Sequence, residues 1–157
     1  MTVQEKTVAE SISEMTQLVL PNDTNMLKHL LGGTLMHWID LIGAIVANRH
    51  CRKPIVTASM ERIDFLRPIP LGHLVILKGR MQYAGKTSMD VGVEVFSENT
   101  LSGERAQAST AVLTYVAVDL NGRPSAIPKL ILSTDEEKHR AKKAETRRAA
   151  RLNRCEN

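Results

Sequence analysis

The chain has 157 residues, of which 43% are hydrophobic and 24% charged, a composition typical of one soluble globular domain that excludes a disordered or fibrous protein. With one Trp, two Tyr and two Phe, stacking platforms for nucleic-acid bases are nearly absent. The formal charge of +4 is uneven, because residues 138–157 carry eight Lys or Arg side chains and only two Glu. A run of this kind more often forms a solvated helix face than a nucleic-acid site, so nucleic-acid binding is not expected.

Targeting and redox signals are also missing from the sequence. No apolar run approaches the ~20 residues of a membrane-spanning helix, and the opening residues MTVQEKTVAES are too polar for a signal peptide. A cytoplasmic protein without a membrane partner is therefore expected. Cys51 and Cys155 lie outside the spacings of zinc and redox sites, so we expect two free thiols and no metal.

Residues 11–20 loosely alternate apolar and polar side chains and end at Pro21, which predicts a first strand closed by a turn. After Gly32 and Gly33 the apolar residues recur at helical spacing, and this pattern predicts a helix of about 14 residues that ends near Asn48. Those apolar residues are Leu35, Met36, Ile39, Ile42, Gly43 and Val46.

A period of two replaces the helical period after Pro54. It predicts four strands, over residues 55–65, 74–83, 88–97 and about 105–118, with Gly and Pro marking the turns. The order of one strand, one helix and four strands predicts an α+β fold in which a long buried helix packs across a mostly antiparallel sheet. Residues 135–152 favour a helix but have no apolar stripe, so this helix is expected to be exposed or frayed.

Asp40 is the only formally charged residue between Leu30 and Asn48. On a helical projection it borders the apolar stripe. A carboxylate partly removed from water must be paired, protonated or part of a site. Two interpretations stay open from the residues alone: a functional carboxylate, or an ion pair with one of three residues. Those residues are Arg62, Arg67 and His37.

Gly32 and Gly33 stand at the start of the predicted helix. Without side chains they leave backbone N–H groups accessible at its positive end, where a developing oxyanion could be held. Taken alone, such a pair more often marks a tight turn or a close helix–sheet contact. His29 and His37 have no second ligand at metal-binding spacing, and no nucleophile elbow or phosphate-binding glycine loop occurs. Serine-hydrolase and nucleotidase chemistry are therefore disfavoured.

Several short motifs occur in fixed order on these elements. They are P-N-D-T-N at 21–25, L-L-G-G-T-L-M-H-W-I-D at 30–40, I-V-T-A-S-M at 55–60, D-F-L-R-P-I at 64–69, L-G-H at 71–73, G-K-T-S-M at 85–89 and T-Y-V-A-V-D-L-N-G-R-P at 114–124. Together they resemble the acyl-CoA thioesterase branch of the hotdog superfamily, specifically the cytosolic long-chain acyl-CoA hydrolases. The resemblance covers about residues 11–130.

The resemblance implies one long central helix wrapped by a five- to six-stranded antiparallel sheet. We expect a single hotdog domain over residues 1–134 and a basic C-terminal helix or tail over residues 135–157. It also implies a homo-oligomer, in which dimers join two sheets into one and stack as trimers of dimers, a homohexamer. The implied reaction is hydrolysis of a fatty acyl-CoA to a free fatty acid and CoA. No cofactor is implied, because CoA is part of the substrate and product.

The resemblance also assigns roles to residues. Asp40 matches the catalytic carboxylate, acting as general base or nucleophile. Asn25 matches an asparagine that positions the thioester or the water, commonly from the partner subunit. The amides of Gly32 and Gly33, Gly33 in particular, match the oxyanion donor. The residues implied to lie near CoA are Arg67, Gly85, Lys86, Thr87 and Ser88, of which Lys86 is suited to a CoA phosphate.

Lys28, His29 and Leu31 depart from the family pattern near the helix start, which leaves the acyl-chain preference open. Two other functions of this fold agree less well with the sequence. A non-catalytic hotdog module that binds acyl-CoA for regulation usually adds a DNA-binding domain, and no helix-turn-helix pattern is present. A hotdog dehydratase resembles a different motif, with a His paired to an acid at the helix, which this sequence lacks.

Overall fold

The structure, a computed structural model, describes residues 4–155. Its elements in chain order are β1 (Glu5–Thr7), a 3-10 helix (Val8–Glu10), β2 (Ser13–Leu18), a 3-10 helix (Pro21–Asp23), α1 (Gly32–Cys51), β3 (Ile55–Phe65), β4 (Leu74–Ala84), β5 (Ser88–Glu98), β6 (Arg105–Ala117), β7 (Lys129–Ile131) and α2 (Asp135–Cys155). The four strands predicted from the period of two are thus confirmed to within one residue at each end, and β2 is two residues shorter at each end than the predicted first strand.

Five strands form one antiparallel sheet in the order β2-β4-β5-β6-β3. This confirms the predicted α+β class and the antiparallel sheet around one long helix. The short strands β1 and β7, which the sequence pattern did not predict, pair in parallel in a second sheet. Each has only three residues, too few for an alternating pattern to be recognised in the sequence.

The central helix α1 has 20 residues and ends at Cys51, which corrects the predicted helix of about 14 residues. Arg52 stops it in the left-handed conformation, with φ at 52°. The prediction ended early because polar residues follow Val46. His50 nevertheless lies one helical turn after Val46 and continues the buried stripe, since it is fully buried.

Two glycines let α1 approach the sheet closely. A Cβ atom at Gly43 would overlap the hydroxyl of Tyr115 in β6, and one at Gly79 of β4 would lie 2.9 Å from Cγ2 of Val46. Ile39, Ile42 and Val46 of the helix are fully buried against the sheet. The close packing brings the middle of α1 within hydrogen-bonding distance of β6.

The edge strand β3 is irregular. Its pairing with β6 shifts register between Thr57 and Ser59 and again between Glu61 and Asp64. Arg62, within the second irregularity, has a positive φ of 57°, which is uncommon for a residue with a side chain. These β-bulges bend the strand and interrupt its ladder.

The terminal helix α2 exposes most of its residues, as expected, but it packs one side on the opposite face of the sheet and is not frayed. Met89 and Val91 of β5 point into the core with α1, and Asp90 between them points to the face that α2 covers. Ala141 and Ala144 are buried. The sequence pattern missed this contact because small alanines and arginine stems make it, rather than large apolar residues.

Within residues 4–155, neither helix combines the length and the hydropathy that crossing a membrane takes.

Candidate active site

Asp40 sits in the middle of α1, and hydroxyl groups from two neighbouring strands hold its carboxylate. Oδ1 accepts a hydrogen bond of 3.0 Å from Oγ1 of Thr57 in β3. It lies at the same distance from the hydroxyl of Tyr115 in β6, which also lies 2.9 Å from the main-chain oxygen of Asp40. Burial, and then the neighbouring carboxylate, raise the pKa of Tyr115 well above its usual value, so this phenol stays a donor.

The ion-pair interpretation of Asp40 is wrong. Of the ion pairs formed within residues 4–155, none includes Asp40. Arg62 instead lines a cavity with residues of α2, and Arg67 lines a pocket near the helix start. The hydrogen bonds that Asp40 accepts from other side chains in the described part of the chain all use Oδ1. Oδ2 of this partly exposed residue is therefore accessible to a water or a substrate.

The start of α1 has exposed backbone donors. Leu31 occupies the N-cap and supplies no side-chain cap, so the first N–H groups keep their capacity to donate. At Gly33 an added Cβ would meet no atom within 4 Å. An apolar pocket of about 410 Å³ adjoins this end of the helix. It is lined by Leu30, Gly32, Leu35, Phe65, Leu66, Arg67, Pro68 and Ile69.

Asn25 lies in the exposed loop that leads to the helix start. Its Oδ1 accepts hydrogen bonds from the backbone N–H groups of Leu27, at 2.9 Å, and His29, at 3.1 Å. The loop is fixed to the helix end because the N–H of Leu31 donates to the carbonyl of Asp23. Both recorded bonds of the Asn25 side chain use Oδ1, so its amide Nδ2 can donate elsewhere.

The turn of residues 85–88 lies at the other end of the site. It is closed by a 2.8 Å bond from the N–H of Gly85 to the carbonyl of Ser88. Ser88 pairs with Val116, directly beside Tyr115, and the carbonyl of Thr87 accepts from the N–H of Ala117. The turn thus extends from the strand position next to the hydroxyl that contacts Asp40, and the Lys86 side chain is exposed on it.

The predicted site residues therefore fall into two groups on one chain. Asn25, Gly32, Gly33 and Arg67 surround the helix start, whereas Asp40 lies near the turn of residues 85–88. Asp40 follows Gly33 by seven positions along α1, a distance of about 10 Å at 1.5 Å per residue.

Sequence reasoning missed Thr57 and Tyr115, the partners of Asp40. Both belong to motifs that the sequence analysis singled out, at 55–60 and 114–124, but only the strand register shows their function. Thr57 and Tyr115 are directly paired across β3 and β6. No cluster of His, Cys, Asp and Glu suited to a metal ion occurs in residues 4–155.

Comparisons with known proteins agree with this arrangement. The model of the thioesterase superfamily matches residues 27–104. An uncharacterized acyl-CoA thioester hydrolase of Bacillus subtilis (strain 168) is 45% identical over 128 residues, which are 82% of this chain and 74% of that protein. The crystal structure of an apo-hexameric acyl-CoA thioesterase superposes with a TM-score of 0.93 at 38% identity, and the match covers 98% of both chains.

An acyl-CoA hydrolase from Staphylococcus aureus, solved in complex with butyryl coenzyme A, coenzyme A and coenzyme A disulfide, gives a TM-score of 0.87 at 35% identity over 97% of this chain and 95% of that one. Mutant structures of that hydrolase replace an asparagine, an aspartate and a threonine by alanine. In that hydrolase the aspartate follows the asparagine by fifteen positions, and the threonine follows the aspartate by seventeen. Asn25, Asp40 and Thr57 of this chain have the same spacing.

Proposed function

Since this chain belongs to the thioesterase superfamily and has its hotdog fold, we propose that it hydrolyses fatty acyl-CoA with Asp40 as the catalytic carboxylate. The products are a free fatty acid and CoA. The observation that carries the proposal is the setting of Asp40, a carboxylate held by two hydroxyl groups with one oxygen accessible. The equal spacing of the three residues replaced in the Staphylococcus aureus hydrolase supports it.

Two routes of hydrolysis are open to this carboxylate. As a general base, Asp40 takes a proton from a water whose oxygen attacks the thioester carbon, and the C–S bond then breaks as the CoA sulfur gains a proton. As a nucleophile, Asp40 attacks the carbon itself, CoA leaves as the C–S bond breaks and its sulfur gains a proton, and water then hydrolyses the mixed anhydride that remains on Asp40. Both routes need a carboxylate that is oriented and is not paired with a cation. Thr57 and Tyr115 orient Asp40 through neutral hydroxyl groups and so meet both conditions.

The oxyanion donor is proposed to come from a second copy of the chain. A reacting carbon must lie about 3 Å from the attacking group, and its oxygen must be equally close to the N–H donor. Gly33 and Asp40 of one chain are about 10 Å apart along α1. We therefore assign each site to Asp40 of one protomer and to Asn25 and Gly33 of its partner. The hexameric assembly of a similar thioesterase supports a homo-oligomer, a dimer of hotdogs stacked as a trimer of dimers.

The remaining predicted residues are assigned around this centre. The apolar pocket beside Gly32 is proposed to take the acyl chain, because its lining is mostly aliphatic and aromatic. The turn with Gly85, Lys86, Thr87 and Ser88 is proposed to contact the CoA arm, with Lys86 near a phosphate. Arg67, on the rim of the acyl pocket, is a second candidate for a phosphate contact. The cytoplasmic location, the independence from cofactors and the lack of nucleic-acid binding stay predictions.

An Asp40→Asn variant tests the assignment. We expect kcat to fall about 100- to 10,000-fold, because an amide neither accepts the proton of water nor attacks the thioester, while CoA still binds. Thiol release from a panel of acyl-CoA substrates measures turnover, and calorimetry measures CoA binding.

The matched control is Asp135→Asn, the same substitution at an exposed residue in the first turn of α2, which is expected to keep full turnover. Unchanged turnover of Asp40→Asn would refute the role of Asp40. If the unsubstituted protein retained acyl-CoA for hours without releasing thiol, the chain would instead be a non-catalytic binding module.

A further inference from the structure

We propose that Arg148 of α2 is a positioning residue for CoA binding, because it fixes the turn of residues 85–88 from the far side of the sheet. The inference rests on the proposed function, in which this turn contacts CoA. It makes α2 part of substrate binding rather than a basic appendage.

One guanidinium group bridges both stems of the turn. Nη2 of Arg148 donates a 2.6 Å hydrogen bond to Oγ of Ser88, the first residue of β5. The same group stacks on the ring of Tyr83, near the end of β4, with Cζ 4.6 Å from the ring centroid. A Cβ at Gly85 would lie 3.3 Å from Oγ of Ser88 and 3.4 Å from Nη2 of Arg148, so the guanidinium packs closely on the turn.

Asp90 pairs with the guanidinium in turn, at ion-pair distance and without a hydrogen bond from Nη1 of Arg148. The carboxylate of Asp90 is 2% exposed, and a buried carboxylate is costly without a partner. Its Oδ1 lies 3.5 Å from Nη1 of Arg148 and accepts a 2.7 Å hydrogen bond from Oγ1 of Thr114. Nη1 of Arg148 therefore faces a buried carboxylate of the sheet, whereas Nη2 binds the turn.

The expected consequence is a pre-ordered binding turn. Surface turns are mobile unless other groups hold them, and a binding segment fixed in advance loses less entropy when the ligand binds. The turn is assigned to the CoA arm rather than to the reacting carbonyl. Loss of order in the turn should therefore raise KM and leave kcat unchanged.

The experiment uses a double variant, Arg148→Met with Asp90→Asn, which removes the ion pair without leaving one buried charge alone. We expect KM for an acyl-CoA to rise about tenfold, the effect of losing one such hydrogen bond and the order it maintains, with kcat unchanged. Arg148→Lys keeps a charge for Asp90 but has no planar fork to reach Ser88 as well. The Arg148→Lys variant should also raise KM, and it replaces the double variant in the test if the double variant does not fold.

A truncated substrate separates positioning from a general structural defect. The N-acetylcysteamine thioester of the same acyl group lacks the pantothenate and the nucleotide, so its kcat/KM should equal that of the unsubstituted protein in every variant. The matched control is Arg140→Met with Glu136→Gln, which removes one ion pair of the same helix at the same net change in charge. Arg140 pairs with Glu136 one helical turn away, and KM is expected to stay constant.

The outcomes distinguish the two proposals. If the unsubstituted protein releases no thiol from either substrate, the proposed function fails. If it is active but the folded Arg148 variants keep the original KM for acyl-CoA, or lose kcat/KM equally on both substrates, the positioning role of Arg148 is overturned.

Discussion

At the scale of single residues, two hydroxyl groups hold the carboxylate of Asp40. The sequence alone was equally compatible with an ion pair at this residue. Thr57 and Tyr115 occupy the same register position on β3 and β6, so one point of the sheet supplies both donors. Hydrogen bonds to a charged acceptor contribute about 1.5–3 kcal/mol each. They orient the carboxylate and leave its negative charge available, which a cationic partner would offset.

A Tyr115→Phe variant should lower kcat about 10- to 100-fold, the loss of one such hydrogen bond in the reactive arrangement. The ring keeps its place beside Gly43, so the fold should be retained. Thiol-release kinetics and the thermal midpoint measure the two effects. A Thr57→Ser variant, which keeps its hydroxyl, is the control and should retain turnover. Full activity of Tyr115→Phe would show that the phenol does not orient Asp40.

The sequence identified Asp40 but not its partners, and the reason is distance along the chain. Asp40 stood out locally, as the one formally charged residue in an apolar helical segment. Its two donors lie 17 and 75 residues away. They reach it only through the register of β3 and β6, and the bulges of β3 make that register unreadable from alternation alone.

At the scale of elements, periodicity predicted the strands well but not the end of α1 or the packing of α2. The run of Val91, Val93 and Val95 predicts β5 because it alternates with other residues over a whole strand. The end of α1 was wrong because His50, a polar residue, occupies a buried position. The packing of α2 was not predicted, because the polar residue Asp90, which alternates with the apolar residues of β5, is covered by Arg148 of that helix.

His50, near the end of α1, makes the free energy of unfolding depend on pH. Its Nε2 lies 2.9 Å from the carbonyl of Pro128, and burial lowers the pKa of the imidazole. Below pH ~6.5 the unfolded chain takes up a proton that the folded chain does not, so the free energy of unfolding falls as the pH drops. The slope is at most about 1.4 kcal/mol per pH unit, and it disappears above pH ~6.5.

Urea unfolding at one protein concentration, at several pH values between 5 and 8, should show this slope for the unsubstituted protein and lose it in a His50→Gln variant. The exposed His139 of α2 is the control, because His139→Gln should leave the slope unchanged. An identical pH dependence in His50→Gln and the unsubstituted protein would rule out His50 as its source.

At the scale of the whole molecule, the proposed function builds each site from residues of two chains. Two inactive variants should therefore complement each other. When Asp40→Asn and Asn25→Ala chains are co-expressed in equal amounts, random pairing makes half of the dimers mixed. One of the two sites in a mixed dimer is intact, so about a quarter of the full thiol-release activity should return.

Each variant expressed alone is the control and should stay inactive, as should the two purified proteins mixed without subunit exchange. If co-expression restores no activity although mixed dimers form, Asp40 and Asn25 act from the same chain.

The bent edge of the sheet has a consequence for how many copies can join. A long straight border of unpaired N–H and C=O groups would offer every arriving strand the same template, as in fibrous aggregates. Along β3 that border is interrupted twice, and Arg62 has a positive φ within the second interruption. An added strand finds only short stretches to pair with, which favours finite, closed assemblies over open-ended growth.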